Sequence, residues 1–522
     1  MTSLLRDALS AVGLVPRPAS FGVALLLALA GPAHGQLEGG SVVSRGAFLF
    51  RLEPSFLVVD GLYASGAETP LGSHFFLSDI GTRHAPALEP TEARFHELAG
   101  GGAVPLSLGK SDGRLSLEEH VVPLDLWYGI LDRVAIGVTV PIIRRQMYAI
   151  LRYSAEGANV GLSPALSAPG AVSDFLGQAT SALREARDAV EGHCVGAGDK
   201  EAVCLGGRDL VNEVDGFLSL LETSYEAGEV FPSAGRELGG AIEARWLSLL
   251  SQLAGWGASP PAEVPLAASA LTQEIFRSTV VAPAWPGEGV PVGTPEPFFD
   301  LGDVEVHAAV RLFDVVSNDG SSFTFRSELS GTFRFATAKP DTLRALAPGT
   351  STRGASGMRV RLESEALLWR HFSVTGLLEG ARFRGREMAL LSPDPSQPFS
   401  PGHTRARVRW TPGTHVRANL VPRFRLGATL VLGVGWDVFR QEADTFSALD
   451  PDGPSVSAPD GARTVQSLIA ELRYVARASP ATDTSPFPFE AFVRVSQSVS
   501  GSGPWSPAEQ RVDSGVSLVI GG

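Results

Sequence analysis

GDVEVHAAVRLFDVVSNDGSSFTFRSELSGTFRFATA, residues 302–338, alternates with a period of two. Val304, Val306, Ala308, Val310 and Leu312 fall on one side of an extended chain, and Asp303, Glu305, His307 and Arg311 on the other. After SNDGSS, whose Asp319-Gly320 pair suits a tight hairpin turn, the alternation resumes. Phe323, Phe325, Leu329, Phe333 and Phe335 share one face; Thr324, Arg326, Glu328, Ser330, Thr332 and Arg334 share the other. A hairpin with one apolar and one charged face suits two architectures. In a soluble sheet the apolar side turns to a core. In a membrane barrel it turns to lipid, and the charged side lines a wet lumen.

The N-terminus separates these. Arg6 and Arg17 precede the short apolar run GVALLLALAG (22–31), and Ala33-His34-Gly35 supplies small residues at −3 and −1. That is the plan of a secretory signal peptide covering 1–35, cut before Gln36. Beyond it no run of about 18 apolar residues occurs, so a membrane hold on residues 36–522 has to come from strands. Further alternating segments follow. LSLEEHVVPLDLWYGILDRVAIGVTVPIIRRQ (115–146) is a second hairpin, with Leu124, Leu126 and Tyr128 opposite Asp125 and Trp127. Strands are expected near 45–58, 358–369, 372–386, 405–417, 424–438, 464–475, 489–499 and 511–520, about twelve in all. Connections near 131, 318, 370 and 421 are short and those at 62–113, 150–300, 339–357, 389–403 and 441–462 are long, the exceptions being 476–487, somewhat long, and 500–509, somewhat short. Short turns at one end and long loops at the other, with an even strand count, mark an outer-membrane barrel with both termini periplasmic.

Residues 150–300 read differently. Helical spacing of apolar residues predicts helices over 173–190 (capped by Ser173/Asp174), 209–223 and 235–253, with a weaker one near 267–276. Cys194 and Cys204 lie between the first two, and such a pair in an exported chain predicts a disulfide. The expected fold class is therefore an all-β membrane protein, an antiparallel transmembrane barrel with a helical insertion at 150–300 on the extracellular side.

Two strand motifs resemble a known group. Asp132, Arg133, Gly137 and Pro141 in DRVAIGVTVP, followed by Leu301, Gly302 and Asp303, resemble the phenol-degradation meta-pathway transporter-like family of outer-membrane barrels. Asp300 stands where that family often has Gly. The resemblance implies passage of small apolar or aromatic solutes across the outer membrane.

No phosphate loop, zinc-protease helix or nucleophile elbow occurs, so no catalytic, cofactor or metal site is expected. His307 beside Asp303 and Glu305 is the one arrangement that invites a barrel hydrolase. The net charge of −13 argues against nucleic acid as a partner; the expected surroundings are outer-membrane lipid. The expected lumen-facing residues are Glu305, His307, Arg311, Arg326, Glu328, Arg334, Arg359, Arg361, Glu363, Arg405, Arg407 and Arg409. On this reading an arginine at Val306 impairs assembly, whereas one at Glu305 is tolerated. The function expected first is a channel or uptake barrel. The second is a surface or assembly role, including a polysaccharide export port, in which the insertion is the working part.

Overall fold

The computed structural model describes residues 40–521 apart from 65, 102–103, 196–201, 285–297, 317–322, 339–353, 370, 392–396, 400–404, 428, 450–460, 477–488 and 505. The expected signal peptide and the Asp319-Gly320 turn lie outside the described residues.

Twelve antiparallel strands close a transmembrane barrel. In chain order they are β1 (Phe48–Leu52, continued by Ser55–Ala64), β2 (Lys110–Leu131), β3 (Val134–Ser154), β4 (Phe298–Leu301, continued by Glu305–Val316), β5 (Thr324–Arg334) and β6 (Gly357–Trp369). β7 (Phe372–Phe383), β8 (His415–Leu426), β9 (Leu430–Gln441), β10 (Arg463–Ala476), β11 (Phe489–Ser502) and β12 (Ser506–Ile520) complete the ring. Closure runs through β1, whose Phe48 sits between Ile520 of β12 and Tyr128 of β2. Closing the sheet leaves no unpaired edge for lipid to meet.

The outer wall is apolar. Leu126, Val306, Val360, Leu420, Val434, Leu472 and Val493 all stand exposed, Val434 at 66%. A continuous apolar band of this kind has no place in water and fits hydrocarbon. At the short-turn end it finishes in paired rings: Phe48–Tyr128 (4.9 Å), Phe313–Phe325 (6.3 Å), Trp369–Phe372 (5.5 Å), Phe372–Phe424 (4.9 Å) and Tyr474–Phe489 (5.6 Å). Tyr128, Trp369 and Tyr474 carry a polar edge on an apolar body and prefer that level of a bilayer, and the phenylalanines pack against them and against one another.

Strict alternation fails once in the deciding hairpin. The register between β4 and β5 shifts at Ser327/Glu328, which makes Leu312 the extra residue of a bulge. Beyond it the odd positions turn outward, leaving Phe313 at 55% and Val315 at 49% exposure.

β2 and β3, 22 and 21 residues long, are about twice what a tilted membrane strand needs. Their upper halves leave the barrel wall and, with the helices, build a cap at the long-loop end. Its helices are α1 (Glu89–Leu98), α2 (Pro169–Cys194), α3 (Ala202–Glu226) and α4 (Glu237–Ala254). Leu115, Leu117, Met147 and Leu151 from the strands share one core with Phe95, Phe175, Phe217, Leu221 and the fully buried Trp246. Cys194 and Cys204 form a disulfide joining the ends of α2 and α3. Burial pushes the Tyr225 phenol up, and its hydroxyl donates to the Pro265 carbonyl at 2.8 Å.

Four expectations need correction. α2 begins at Pro169 rather than at a Ser173 cap, because proline fits the first helical turn, where its missing N–H costs nothing. α1 lies inside the stretch read as a long loop; its first-turn acids Glu89 and Glu92 and its buried Phe95 and Leu98 are the local signals. The stretch 405–417 is not one strand, since Pro412-Gly413 divides it. Gly413 passes so close to Glu442 that a Cβ would lie 2.0 Å from the Glu442 carbonyl oxygen. Likewise 424–438 contains a turn at Gly427, whose φ of 70° suits glycine, so the short connection lies there and not near 421.

Candidate functional site

Inside the barrel, charges are paired both across strands and between i, i+2 neighbours on one strand. Glu305 receives Arg334 (2.7 Å) from β5 and Arg359 (2.5 Å) from β6. Glu379 faces His415 at 3.7 Å, and Arg361 meets Glu363 at 2.7 Å. On the other side Glu471, whose side chain has no exposure, gathers Arg423 (3.0 Å), Arg473 (3.2 Å) and Arg494 (2.6 Å). Arg417 bonds Asp437 at 2.7 Å. Several guanidinium groups also lie over phenyl rings: Arg334 over Phe383 (5.6 Å), Arg463 over Phe439 (5.8 Å), and Arg473 and Arg494 over Phe492 (5.4 and 5.5 Å).

The short-turn end of the interior is occupied by the chain itself. The amides of Ser41 (3.0 and 3.1 Å) and Val42 (3.1 Å) donate to the Glu328 carboxylate. Arg311 donates to the Val42 carbonyl at 2.8 Å, and Arg51 to the Gly40 carbonyl at 3.0 Å. Val42, Val43 and Ala47 are buried against Leu49, Trp127, Ala135, Ala309 and Val519. The Arg45 amide donates to Asp132 at 3.1 Å, which fixes the segment where it enters. Arg311 and Arg326 both contact Asp314, at 3.5 and 2.9 Å.

Between these groups lies a polar relay. Trp127 donates to Asp125 at 2.8 Å and stacks on His307 with centroids 5.2 Å apart. Thr139 donates to Asp125 at 2.8 Å, so His307 Nε2 must donate to Thr139 (2.7 Å) and Nδ1 accept from Thr332 (2.9 Å). The arrangement that invited a hydrolase does not converge. Glu305 is held by arginines, and Asp303 accepts the amides of Ala338 (3.0 Å) and Gly354 (2.7 Å).

Arg405, Arg407 and Arg409 are not on a barrel strand. They belong to Arg405–Thr411, the middle strand of a separate three-stranded sheet with Arg386–Leu391 and Thr445–Ala448. Arg407 and Arg409 are exposed there. An arginine at Glu305 would join Arg334 and Arg359 as a third cation, so the tolerance expected there gives way to an expected loss of stability. Conversely, the cluster around Glu471 was not singled out from sequence, although Glu471 and Arg473 alternate with Leu472 and Tyr474 as the rule requires.

The motif residues have structural work. The Gly302 amide donates to the Pro141 carbonyl at 2.7 Å, and a Cβ on Gly302 would lie 2.6 Å from the Pro141 ring. Gly137 lies under Trp127, where a Cβ would come within 2.6 Å of the indole. Gly137→Ala should therefore displace Trp127 and cost about 1–3 kcal/mol. Urea titration with tryptophan fluorescence measures this; an unchanged midpoint and emission maximum would show that the stacking is not tight.

No family model and no curated protein matches the chain. Solved structures match over most of its length at low likeness. An outer-membrane channel from Pseudomonas putida F1 is 8% identical with a TM-score of 0.39, covering 93% of this chain and 100% of that one. The Ralstonia pickettii toluene transporter TbuX is 7% identical with a TM-score of 0.29, covering 92% and 90%. The translocator domain of the autotransporter NalP from Neisseria meningitidis is 8% identical with a TM-score of 0.28, covering 99% and 95%.

Proposed function

We propose that this chain is an outer-membrane channel for small solutes, closed at its periplasmic mouth by its own segment 40–47. The observation that carries this is the match between that segment and the wall: Glu328, Arg311 and Arg51 answer its backbone groups one by one. A segment held by hydrogen bonds rather than by a continuous strand can leave without dismantling the sheet. Its departure would expose a charged, hydrated passage. In this reading the short-turn end is periplasmic, and the cap, with the 150–300 insertion, faces the exterior.

The solute class follows from the wall. Paired arginines stacked on phenyl rings suit small aromatic compounds that carry a polar or anionic group. Such a solute can trade an arginine–carboxylate contact for one to itself while keeping a ring contact. This narrows the small apolar or aromatic class implied by the family resemblance. Proteoliposomes holding the chain should admit 4-hydroxybenzoate faster than a neutral sugar of similar size. Equal rates, or no entry of either, would overturn the assignment.

A further inference from the structure

Arginines of the interior are answered by carboxylates; those at the long-loop rim of β7–β9 are not. Arg382, at the end of β7, and Arg440, at the end of β9, are exposed. So are Arg384, just past β7, and Arg407 on the three-stranded sheet. Among the described residues none of these four has a carboxylate partner. Arg409 joins them on the same face as Arg407: its side chain runs along Gly385, where a Cβ would lie 3.3 Å from its Cγ. Only Arg409 is answered, by the exposed Glu387 at 3.2 Å. In a chain of net charge −13, this is a concentrated positive surface.

Its height is set by the barrel. Arg382 follows Phe372, a member of the short-turn aromatic ring, by ten residues on the same outward face, and Arg440 follows Leu430 by ten. Ten residues on a strand tilted by about 40° rise about 25 Å, the height of the apolar band of such barrels. The row Gly380–Val416–Arg440 crosses β7, β8 and β9, so Arg440 stands in register two residues short of Arg382, and both lie at the long-loop end of the wall. The patch thus begins where hydrocarbon gives way to headgroups, and its guanidinium forks match phosphate in geometry and charge.

We propose that the outer rim of β7–β9, with the exposed face of the adjoining sheet, binds the phosphate groups of a phosphorylated glycolipid of the outer leaflet. This rests on the orientation given under Proposed function. The partner is a lipid rather than a soluble polyanion because the cations start at the edge of the apolar band and continue above it, where acyl chains and phosphates of one molecule can be met together.

The test uses the full-length chain in detergent, with bis-phosphorylated lipid A, its dephosphorylated form and inorganic pyrophosphate as probes. Native mass spectrometry should show lipid A bound to the wild type, with the dephosphorylated form and pyrophosphate bound far less. Arg382→Gln with Arg440→Gln should weaken lipid A binding about 30-fold, while heat-modifiable gel migration, a sign of the folded barrel, stays normal. Arg133→Gln, at the short-turn end, should leave binding unchanged. Equal binding of the dephosphorylated lipid, or equal binding by the double variant, would overturn the proposal. Pyrophosphate competing as well as lipid A would replace the lipid with a soluble anion. Loss of binding in Arg133→Gln alone would move the site to the other leaflet and reverse the orientation, whereas solute entry into proteoliposomes reads the channel assignment separately.

Discussion

A chain starting at Arg45 should conduct several-fold more current in planar bilayers than one starting near Gln36. Without residues 40–44, Glu328 loses the amides of Ser41 and Val42, and Arg311 loses the Val42 carbonyl. These two charges then face water at the mouth instead of backbone. A milder variant grades the effect. Glu328→Gln turns charge-assisted bonds into neutral ones, about 1 kcal/mol weaker, which enlarges the open fraction about fivefold. If the shortened chain conducts no better than the longer one, the segment is a structural filler and the gate lies elsewhere.

Glu471→Leu should lower the unfolding free energy of the refolded barrel by about 3–5 kcal/mol, read from urea titration in vesicles. The size follows from what remains: Arg423 and Arg473, with side chains 4% exposed, would lose their shared anion. Arg473 would keep Glu490, but Arg423 would keep only the Thr375 hydroxyl, at 2.7 Å, as a hydrogen-bond partner among the described residues. Leu472→Ala next door removes only lipid contact and should cost far less. A change below about 1 kcal/mol for Glu471→Leu would mean that water enters the cluster freely and screens the arginines.

Much of this architecture was legible in the alternation itself, because a barrel wall asks one thing of every other residue. Phe325, Val306 and Leu126 announce lipid; Glu305, Glu328 and Asp125 announce the interior. Helix spacing served equally well for α2, α3 and α4. The failures share a cause. Period two is blind to a change of parity or of sheet: the bulge at Leu312 reverses the faces in mid-strand, and the arginine row at 405–409 alternates just as well in a side sheet as in a wall. Partners were not legible either. Nothing near Glu328 in sequence says that its ligands are amides nearly 290 residues away.

The shared core of the cap dictates an order of assembly. Phe399, from the connection between β7 and β8, is 1% exposed and packs between Phe75 (5.7 Å) and Phe276 (5.6 Å). β8 stands six strands around the ring from β2, so this ring arrives from across the opening. The helices joined by the Cys194–Cys204 bond can collapse locally, since their contacts are close in sequence. The keystone contact joins residues more than 120 positions apart and should form later than the local ones. The cap should therefore mature in two kinetic phases, an early local one and a late one that brings in Phe399. Amides under Phe399 should be the last to gain protection from hydrogen exchange.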